Sequence, residues 1–155
     1  YLCCFCMVNS FYCLWHKTVV CGNNKKMQMH VEKFAARYNG NCIIRPYGFV
    51  HNVEVMMSAS DCIISKPGGL TVSEALAKNL PMLLADPIPG HEERNVDFLV
   101  NNGMAALITK HFPVDEAVYE LFTNPVRLET VRHTMKAVAH PDATERLADF
   151  VLALQ

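Results

Sequence analysis

The chain has 155 residues, of which 51% are hydrophobic and 19% charged, so it is long and apolar enough for one folded domain and is not an intrinsically disordered chain. Its 14 Lys and Arg residues nearly balance 15 Asp and Glu residues, and this balance predicts no nucleic-acid partner. Seven cysteines without a regular spacing indicate a reducing compartment rather than a disulfide framework.

The first sixteen residues form an atypical apolar, Cys-rich segment, which we separate from a domain spanning residues 17–155. The segment is too short to cross a membrane and lacks the basic start of a signal peptide. Its four cysteines lack the paired spacing of zinc ligands, so we predict no metal site there. These cysteines are Cys3, Cys4, Cys6 and Cys13. Because the chain starts with Tyr1 rather than Met, we expect it to be a fragment or a processed product.

From residue 17 onward, short apolar runs typical of buried strands alternate with amphipathic stretches typical of helices. The predicted strands are 17–21, 42–45, 61–65, 82–85 and 105–109. The predicted helices are 25–38, 53–59, 71–78 and 92–102, followed by two or three helices within 113–155 that are broken near Pro125 and Pro141. This order predicts an α/β fold, a Rossmann-like parallel sheet with helices on both faces.

Three loops follow predicted strands, at residues 47–51, 66–71 and 87–95. In a parallel sheet the carboxyl ends of the strands share one edge, and ligands bind beyond that edge. We therefore expect the three loops to converge on a single binding site.

The loop at 66–71 has the features of an anion site. Residues 65–76 (SKPGGLTVSEAL) combine a lysine, a Pro-Gly-Gly turn and a helix start, whose free N–H groups attract anions. Thr71 and Glu74 also fit a capping box, in which Glu74 would bond the Thr71 amide. The alternative is that the two oxygens of Glu74 accept hydrogen bonds from vicinal hydroxyls of a ligand. Spacing alone favours the cap.

The loop at 87–95 is unusually polar after its Pro-Gly pair. Two of its acidic residues, Glu92 and Glu93, also suit the first turn of a helix, where they favour the helix dipole. In the loop at 47–51 and just after it, His51 and Asn52 can simply cap the next helix. Residue types alone therefore leave a structural role open at each loop.

Four segments taken together closely resemble the C-terminal, donor-binding half of GT-B glycosyltransferases. They are CGNNKK, YGFVHNVEVMMSASD, SKPGGLTVSEAL and LPMLLADPIPGHEERNVDFL, in the family's order and with compatible spacing. The nearest group resembles the processive diacylglycerol glucosyltransferases and monogalactosyldiacylglycerol synthases, which are related to the lipid II N-acetylglucosaminyltransferase. The resemblance covers residues 19–103 and, more loosely, the C-terminus. It implies the C-terminal half of a GT-B fold without the acceptor domain.

The resemblance implies a UDP-sugar site at the predicted edge. The loop around Phe49 and Val50 would hold the uracil base, the Gly-Gly turn would face the diphosphate, and Glu74 would bind the ribose, which reverses the preference for a cap. His91 and Glu92 would bind hydroxyls of the transferred sugar. The implied UDP-sugar-binding residues are Phe49, Val50, Lys66, Gly68, Gly69, Leu70, Thr71, Glu74, His91, Glu92 and Asn95.

The resemblance also implies a hexosyltransferase that moves glucose or galactose from UDP to a lipid such as diacylglycerol, with UDP-hexose as donor substrate and no cofactor or metal ion. The catalytic base and the membrane contact are expected in the absent acceptor domain, so this chain alone should be inactive or incomplete. The enzyme would be cytoplasmic and peripheral at the inner face of the membrane. The family usually has Gln where this chain has His91, which leaves the hexose open and can add pH dependence near neutrality.

Residues 1–16 also depart from the family, because they lack the glycine-rich loop with which its donor half opens. Two other functions stay open. The chain can be a non-catalytic donor-binding subunit that needs a separate acceptor-domain chain, and activity on adding that partner would show it. It can also be a fragment of a nucleotide-sugar epimerase, which would isomerise UDP-hexose without an acceptor.

Overall fold

The computed structural model of the chain describes residues 3–9 and 14–154, with side chains from residue 16 onward. These residues form six strands and seven helices. The strands are β1 (Cys3–Asn9), β2 (Leu14–Val20), β3 (Cys42–Tyr47), β4 (Cys62–Ser65), β5 (Met82–Leu84) and β6 (Ala105–Leu107). The helices are α1 (Lys25–Arg37), α2 (Val53–Ser58), α3 (Gly69–Ala77), α4 (Glu93–Asn101), α5 (Val114–Thr123), α6 (Pro125–Val138) and α7 (Ala143–Leu152).

The strands form one sheet in the order β3-β2-β1-β4-β5-β6. The five strands predicted from the sequence all point in one direction, since β2 pairs in parallel with β3, and β5 with both β4 and β6. The unpredicted strand β1 lies between β2 and β4 and is antiparallel to both. Its register sets Cys3 opposite Val20 and Cys4 opposite Ile64, so the amino end of β1 lies at the carboxyl ends of its neighbours.

Strand β2 begins at Leu14, three residues before its predicted start, and so crosses the boundary that we drew at residue 17. The division into residues 1–16 and 17–155 remains a prediction. Residues 10–13 lie outside the described residues, as do the side chains of β1.

Apolar side chains cover the sheet on both faces. On one face, Ile63, Met82 and Leu84 pack against buried residues of α3, α4 and α6. On the other face, Cys62 and Leu83 pack against buried residues of α5. Successive side chains of a strand point to opposite faces of the sheet, and both faces are covered, which explains why the strands are almost wholly apolar in sequence. The arrangement confirms the predicted Rossmann-like sheet with helices on both faces.

Three helices follow β6, as predicted. Pro125 is the first residue of α6, where its missing N–H removes no helical hydrogen bond, and the side chain of Asn124 caps the helix by accepting from the Arg127 amide at 3.1 Å. Pro141 lies in the break between α6 and α7. Within residues 3–9 and 14–154, no helix is long and apolar enough to cross a bilayer.

The Leu99 side chain is fully buried beneath the sheet. We expect Leu99→Ala to lower the free energy of unfolding by about 3 kcal/mol, because it removes buried methyl groups and leaves a cavity. Urea denaturation followed by circular dichroism measures this loss. Leu147→Ala, at a site that is 63% exposed, is the control and should change the free energy by less than about 0.5 kcal/mol. Equal losses in the two variants would contradict the assigned core.

Candidate functional site

The turn after β4 presents backbone N–H groups at the start of a helix. Strand β4 ends at Ser65, and α3 begins at Gly69 after the extended residue Gly68. The Val72 amide makes the first helical bond to the Gly68 carbonyl, at 2.9 Å. The amides of residues 69–71 therefore have no partner within the helix, and they carry the positive end of its dipole. This geometry suits a phosphate group.

The capping-box interpretation of Glu74 is wrong. Helix α3 starts two residues earlier than predicted, so Gly68 is the N-cap residue and Thr71 lies inside the first turn. No side chain caps this helix start. The Glu74 side chain is exposed, and its carboxylate is available to a ligand.

The loop after β5 is folded around a buried carboxylate. The Ile88 amide donates a hydrogen bond of 2.7 Å to Glu92 Oε2, and the Glu92 side chain is only 9% exposed. Gly90 closes this turn with a φ of +77°, in the left-handed region that glycine adopts without strain. His91 stands exposed beside Glu92. One carboxylate oxygen of Glu92 thus fixes its own loop, which leaves Oε1 for other contacts.

One hydrogen bond and one close approach connect the segment after β5 to the turn after β4. Asn95 Nδ2 donates a hydrogen bond of 2.8 Å to the Pro67 carbonyl. A Cβ added to Gly68 would lie 3.5 Å from Glu92 Oε1, so the carboxylate rests against the turn. Sequence reasoning missed the contact of Asn95 with Pro67, because a pair separated by 28 residues leaves no local pattern.

Lys66 precedes this turn and is half-buried. No ion pair with Lys66 occurs within the part of the chain that the structure describes. Leu70, in the first turn of α3, is 84% exposed. The turn therefore offers a cation, free amides and an apolar side chain to a ligand.

The loop after β3 offers a ring and backbone groups. The Phe49 side chain is 61% exposed, and its ring meets the His51 ring edge-on, with centroids 4.8 Å apart. The Val50 side chain is partly buried and packs against the core. The Asn52 side chain does not cap α2, although the sequence allowed that role.

This third loop lies at the same sheet edge but at a distance. Strands β2 and β1 separate β3 from β4, so the two loops are about 14 Å apart at the usual strand spacing. A single small anion cannot contact both loops. An extended ligand with a planar group at one end and phosphates further along can do so.

Residues at the end of β2 position the loop after β3. The Cys21 amide donates to the Tyr47 carbonyl at 2.8 Å, and a Cβ on Gly48 would lie 2.9 Å from Gln28 Oε1 of α1. Burial, reinforced by the charge of Glu32, raises the pKa of the Cys21 thiol. The thiol therefore stays protonated at neutral pH and is a poor nucleophile.

In the part of the chain that the structure describes, no group of three or more His, Cys, Asp or Glu side chains is placed to hold a metal ion. Cys13 and the side chains of Cys3, Cys4 and Cys6 lie outside that part. The described site thus offers amides, one lysine and two carboxylates, which together suit a ligand that carries both phosphates and hydroxyls.

Comparison with protein families matches residues 14–147 to the Glycosyltransferase family 28 C-terminal domain. The chain is 30% identical over 127 residues to the processive diacylglycerol beta-glucosyltransferase of Bacillus licheniformis, covering 82% of this chain and 33% of that protein. It is 31% identical over 120 residues to the enzyme of the same name from Bacillus pumilus, covering 77% of this chain and 31% of that protein. The chain therefore spans about a third of the length of these curated relatives.

Two solved structures share the fold. The crystal structure of MurG from Acinetobacter baumannii aligns with 88% of this chain and 41% of its own chain, at a TM-score of 0.68 and 23% identity. The glycosyltransferase SnogD from Streptomyces nogalater aligns with 76% of this chain and 31% of its own, at a TM-score of 0.52 and 21% identity. These likenesses confirm the architecture predicted from the sequence, the C-terminal half of a GT-B fold.

Proposed function

Because the chain belongs to the glycosyltransferase family 28 C-terminal domain family, we propose that it binds the UDP-sugar donor of a hexosyltransferase. The observation that carries this proposal is the linked pair of loops after β4 and β5. Helix α3 begins at this turn with free amides, Asn95 of α4 donates a hydrogen bond to the Pro67 carbonyl, and the Glu92 carboxylate lies close to Gly68. A turn fixed in this way is preorganised for a diphosphate.

The proposed arrangement of the donor runs along the sheet edge. Uracil lies at Phe49 and the Val50 backbone, the ribose hydroxyls bond Glu74, and the diphosphate lies over the first turn of α3 with Lys66 nearby. The separation of about 14 Å between the loops after β3 and β4 supports an extended ligand of this kind.

The transferred sugar lies at His91 and Glu92 in this proposal. Glu92 Oε1 faces the Gly68 turn and can accept hydrogen bonds from sugar hydroxyls, since Oε2 is held by the Ile88 amide. His91 is exposed and can donate or accept, so the hexose, glucose or galactose, depends on its contacts.

The whole enzyme, in our proposal, transfers this hexose to a lipid such as diacylglycerol, as the names of its Bacillus relatives state for them. This chain would position the donor and stabilise the leaving diphosphate through the α3 amides. An acceptor domain, on the same or a separate chain, would supply the base. We further propose that donor binding needs neither metal nor cofactor, and that the enzyme works peripherally at the cytoplasmic face of a membrane.

Thermal denaturation with added nucleotides tests the proposed donor. We expect saturating UDP, UDP-glucose or UDP-galactose to raise the Tm by about 8 °C, because a ligand at 100 times its Kd stabilises a fold by about 2.7 kcal/mol. ADP-glucose, which keeps the diphosphate and the sugar, should have a much smaller effect. EDTA should leave the UDP shift unchanged. Equal shifts with ADP-glucose and UDP-glucose would overturn the assignment of a uracil site.

A further inference from the structure

We propose that the outward face of α1 docks this domain on an anionic membrane surface. This α1 basic face comprises Lys26, His30, Lys33 and Arg37, with the apolar side chains of Met29 and Phe34 beside it. The inference goes beyond the proposed function and rests on it in one respect, since a lipid acceptor requires contact with a membrane.

Among the elements that the structure describes, helix α1 packs mainly against one strand. It contacts β3, which is the edge strand of the described sheet, and none of its 13 residues is buried. Only Gln28, Val31 and Ala35 are partly covered, and their spacing of three and four residues marks the side that faces the sheet. Helices of this length are marginally stable in water without tertiary packing, so α1 stands to gain from a further surface.

The basic side chains lie opposite that side. At 3.6 residues per turn, Lys26, His30, Lys33 and Arg37 all point within about 50° of the direction away from the sheet. Met29 and Phe34 flank them, one on each side, and are 53% and 55% exposed. Cations at the centre with exposed apolar side chains at the margins are typical of helices that lie in a membrane interface.

Charge is concentrated on this helix. With His30 counted as neutral, α1 has a formal charge of +3 from Lys25, Lys26, Lys33, Arg37 and Glu32, whereas the whole chain carries −1, so the rest carries −4. The one acid, Glu32, accepts a hydrogen bond of 3.0 Å from Gln28 Nε2 on the sheet side of the helix. An anionic surface would therefore attract α1 and repel the remainder, which orients the domain.

The same orientation places the candidate site close to the bilayer. Helix α1 starts directly after β2, at the sheet edge that carries the three loops, and Gln28 lies against Gly48 of the loop after β3. Lipid is favoured over nucleic acid as the partner because phosphates alone would leave the exposed Met29 and Phe34 without a role.

Cosedimentation of the full 155-residue chain with lipid vesicles tests this surface. The vesicles contain phosphatidylcholine alone or with 30% phosphatidylglycerol. We expect binding only to the anionic vesicles, and we expect K26E/K33E/R37E to lower the partition coefficient about 100-fold or more, since each of the three surface charges contributes about fivefold. M29S/F34S should lower it about tenfold. Binding of the wild-type chain should fall steeply with added salt.

The matched control is K110E/K136E/R146E, which makes the same change in net charge at three exposed positions outside α1. It should keep binding within threefold of the wild-type chain. Equal losses in the two triple variants, or equal binding to neutral vesicles, would overturn the proposal. If the wild-type chain is a dimer that K26E/K33E/R37E dissociates, the face binds a second copy of the chain instead. If nuclease treatment abolishes the cosedimentation, the face binds nucleic acid instead. UDP binding is measured separately on the same samples. Loss of UDP binding without loss of vesicle binding would contradict only the proposed donor site.

Discussion

Replacing Glu74 with alanine is expected to weaken UDP binding by about 30- to 100-fold, as measured by calorimetric titration. The Glu74 carboxylate is exposed and has no capping role, because α3 begins at Gly69. In the proposed complex its two oxygens accept hydrogen bonds from the two ribose hydroxyls. Such bonds to a charged acceptor contribute about 1.5–3 kcal/mol each, and exposure to solvent keeps the total near the lower end.

Glu129→Ala is the control for this variant. Glu129 is also an exposed carboxylate within a helix, but it lies on α6, away from the three loops. Its replacement should leave UDP affinity unchanged, and both variants should keep the wild-type free energy of unfolding within about 0.5 kcal/mol. Unchanged UDP affinity in Glu74→Ala would remove the ribose assignment.

Replacing Asn95 with aspartate is expected to weaken UDP binding about 20- to 50-fold. The change removes the Nδ2 donor that holds the Pro67 carbonyl at 2.8 Å and sets a carboxylate against that oxygen. The turn after β4 then loses its anchor, and a negative charge enters the space next to the proposed diphosphate. The free energy of unfolding should fall by about 1–2 kcal/mol, since one partly buried hydrogen bond is lost.

Asn102→Asp provides a matched comparison in the same helix region. Asn102 Nδ2 donates a hydrogen bond of 2.7 Å to the Phe98 carbonyl at the C-terminal end of α4. Its replacement also removes an amide donor and adds a charge, and should cost about 1 kcal/mol of stability. UDP affinity should stay at the wild-type value. If Asn102→Asp and Asn95→Asp weaken UDP binding equally, stability rather than the Pro67 contact would explain the effect.

The sequence predicted most of the fold because its periodicity is clear. The strands at 61–65 and 82–85 are short apolar runs, and both became largely buried strands within one residue of their predicted bounds. Strand β1 was missed although it pairs with β2, which follows it in the chain. Its central place in the sheet also depends on β4, which is distant in sequence, with Cys4 set opposite Ile64. The start of α3 was misplaced because Thr71-x-x-Glu74 imitates a capping box, whereas the backbone of Gly68 already provides the N-cap.

The candidate site was predictable as a set of loops but not as a set of contacts. The rule that ligands bind beyond the carboxyl ends of strands brought Gly68 and Glu92 to one edge. It could not indicate that Ile88 would occupy one oxygen of Glu92 or that Asn95 would hold Pro67. The first contact depends on the conformation of the loop after β5, and the second on the tertiary position of α4 beside the turn. The roles of the individual residues in binding UDP-sugar stay predictions.

Calorimetric titration of the wild-type chain with UDP tests the central claim most directly. A donor-binding domain should bind one UDP per chain, with EDTA present, and with an affinity at least tenfold higher than for ADP or inorganic pyrophosphate. That result would require both a diphosphate site and a site for uracil. Equal affinities for UDP and pyrophosphate would reduce the site to an anion-binding turn. Absence of any heat at millimolar UDP from the folded chain would contradict the account.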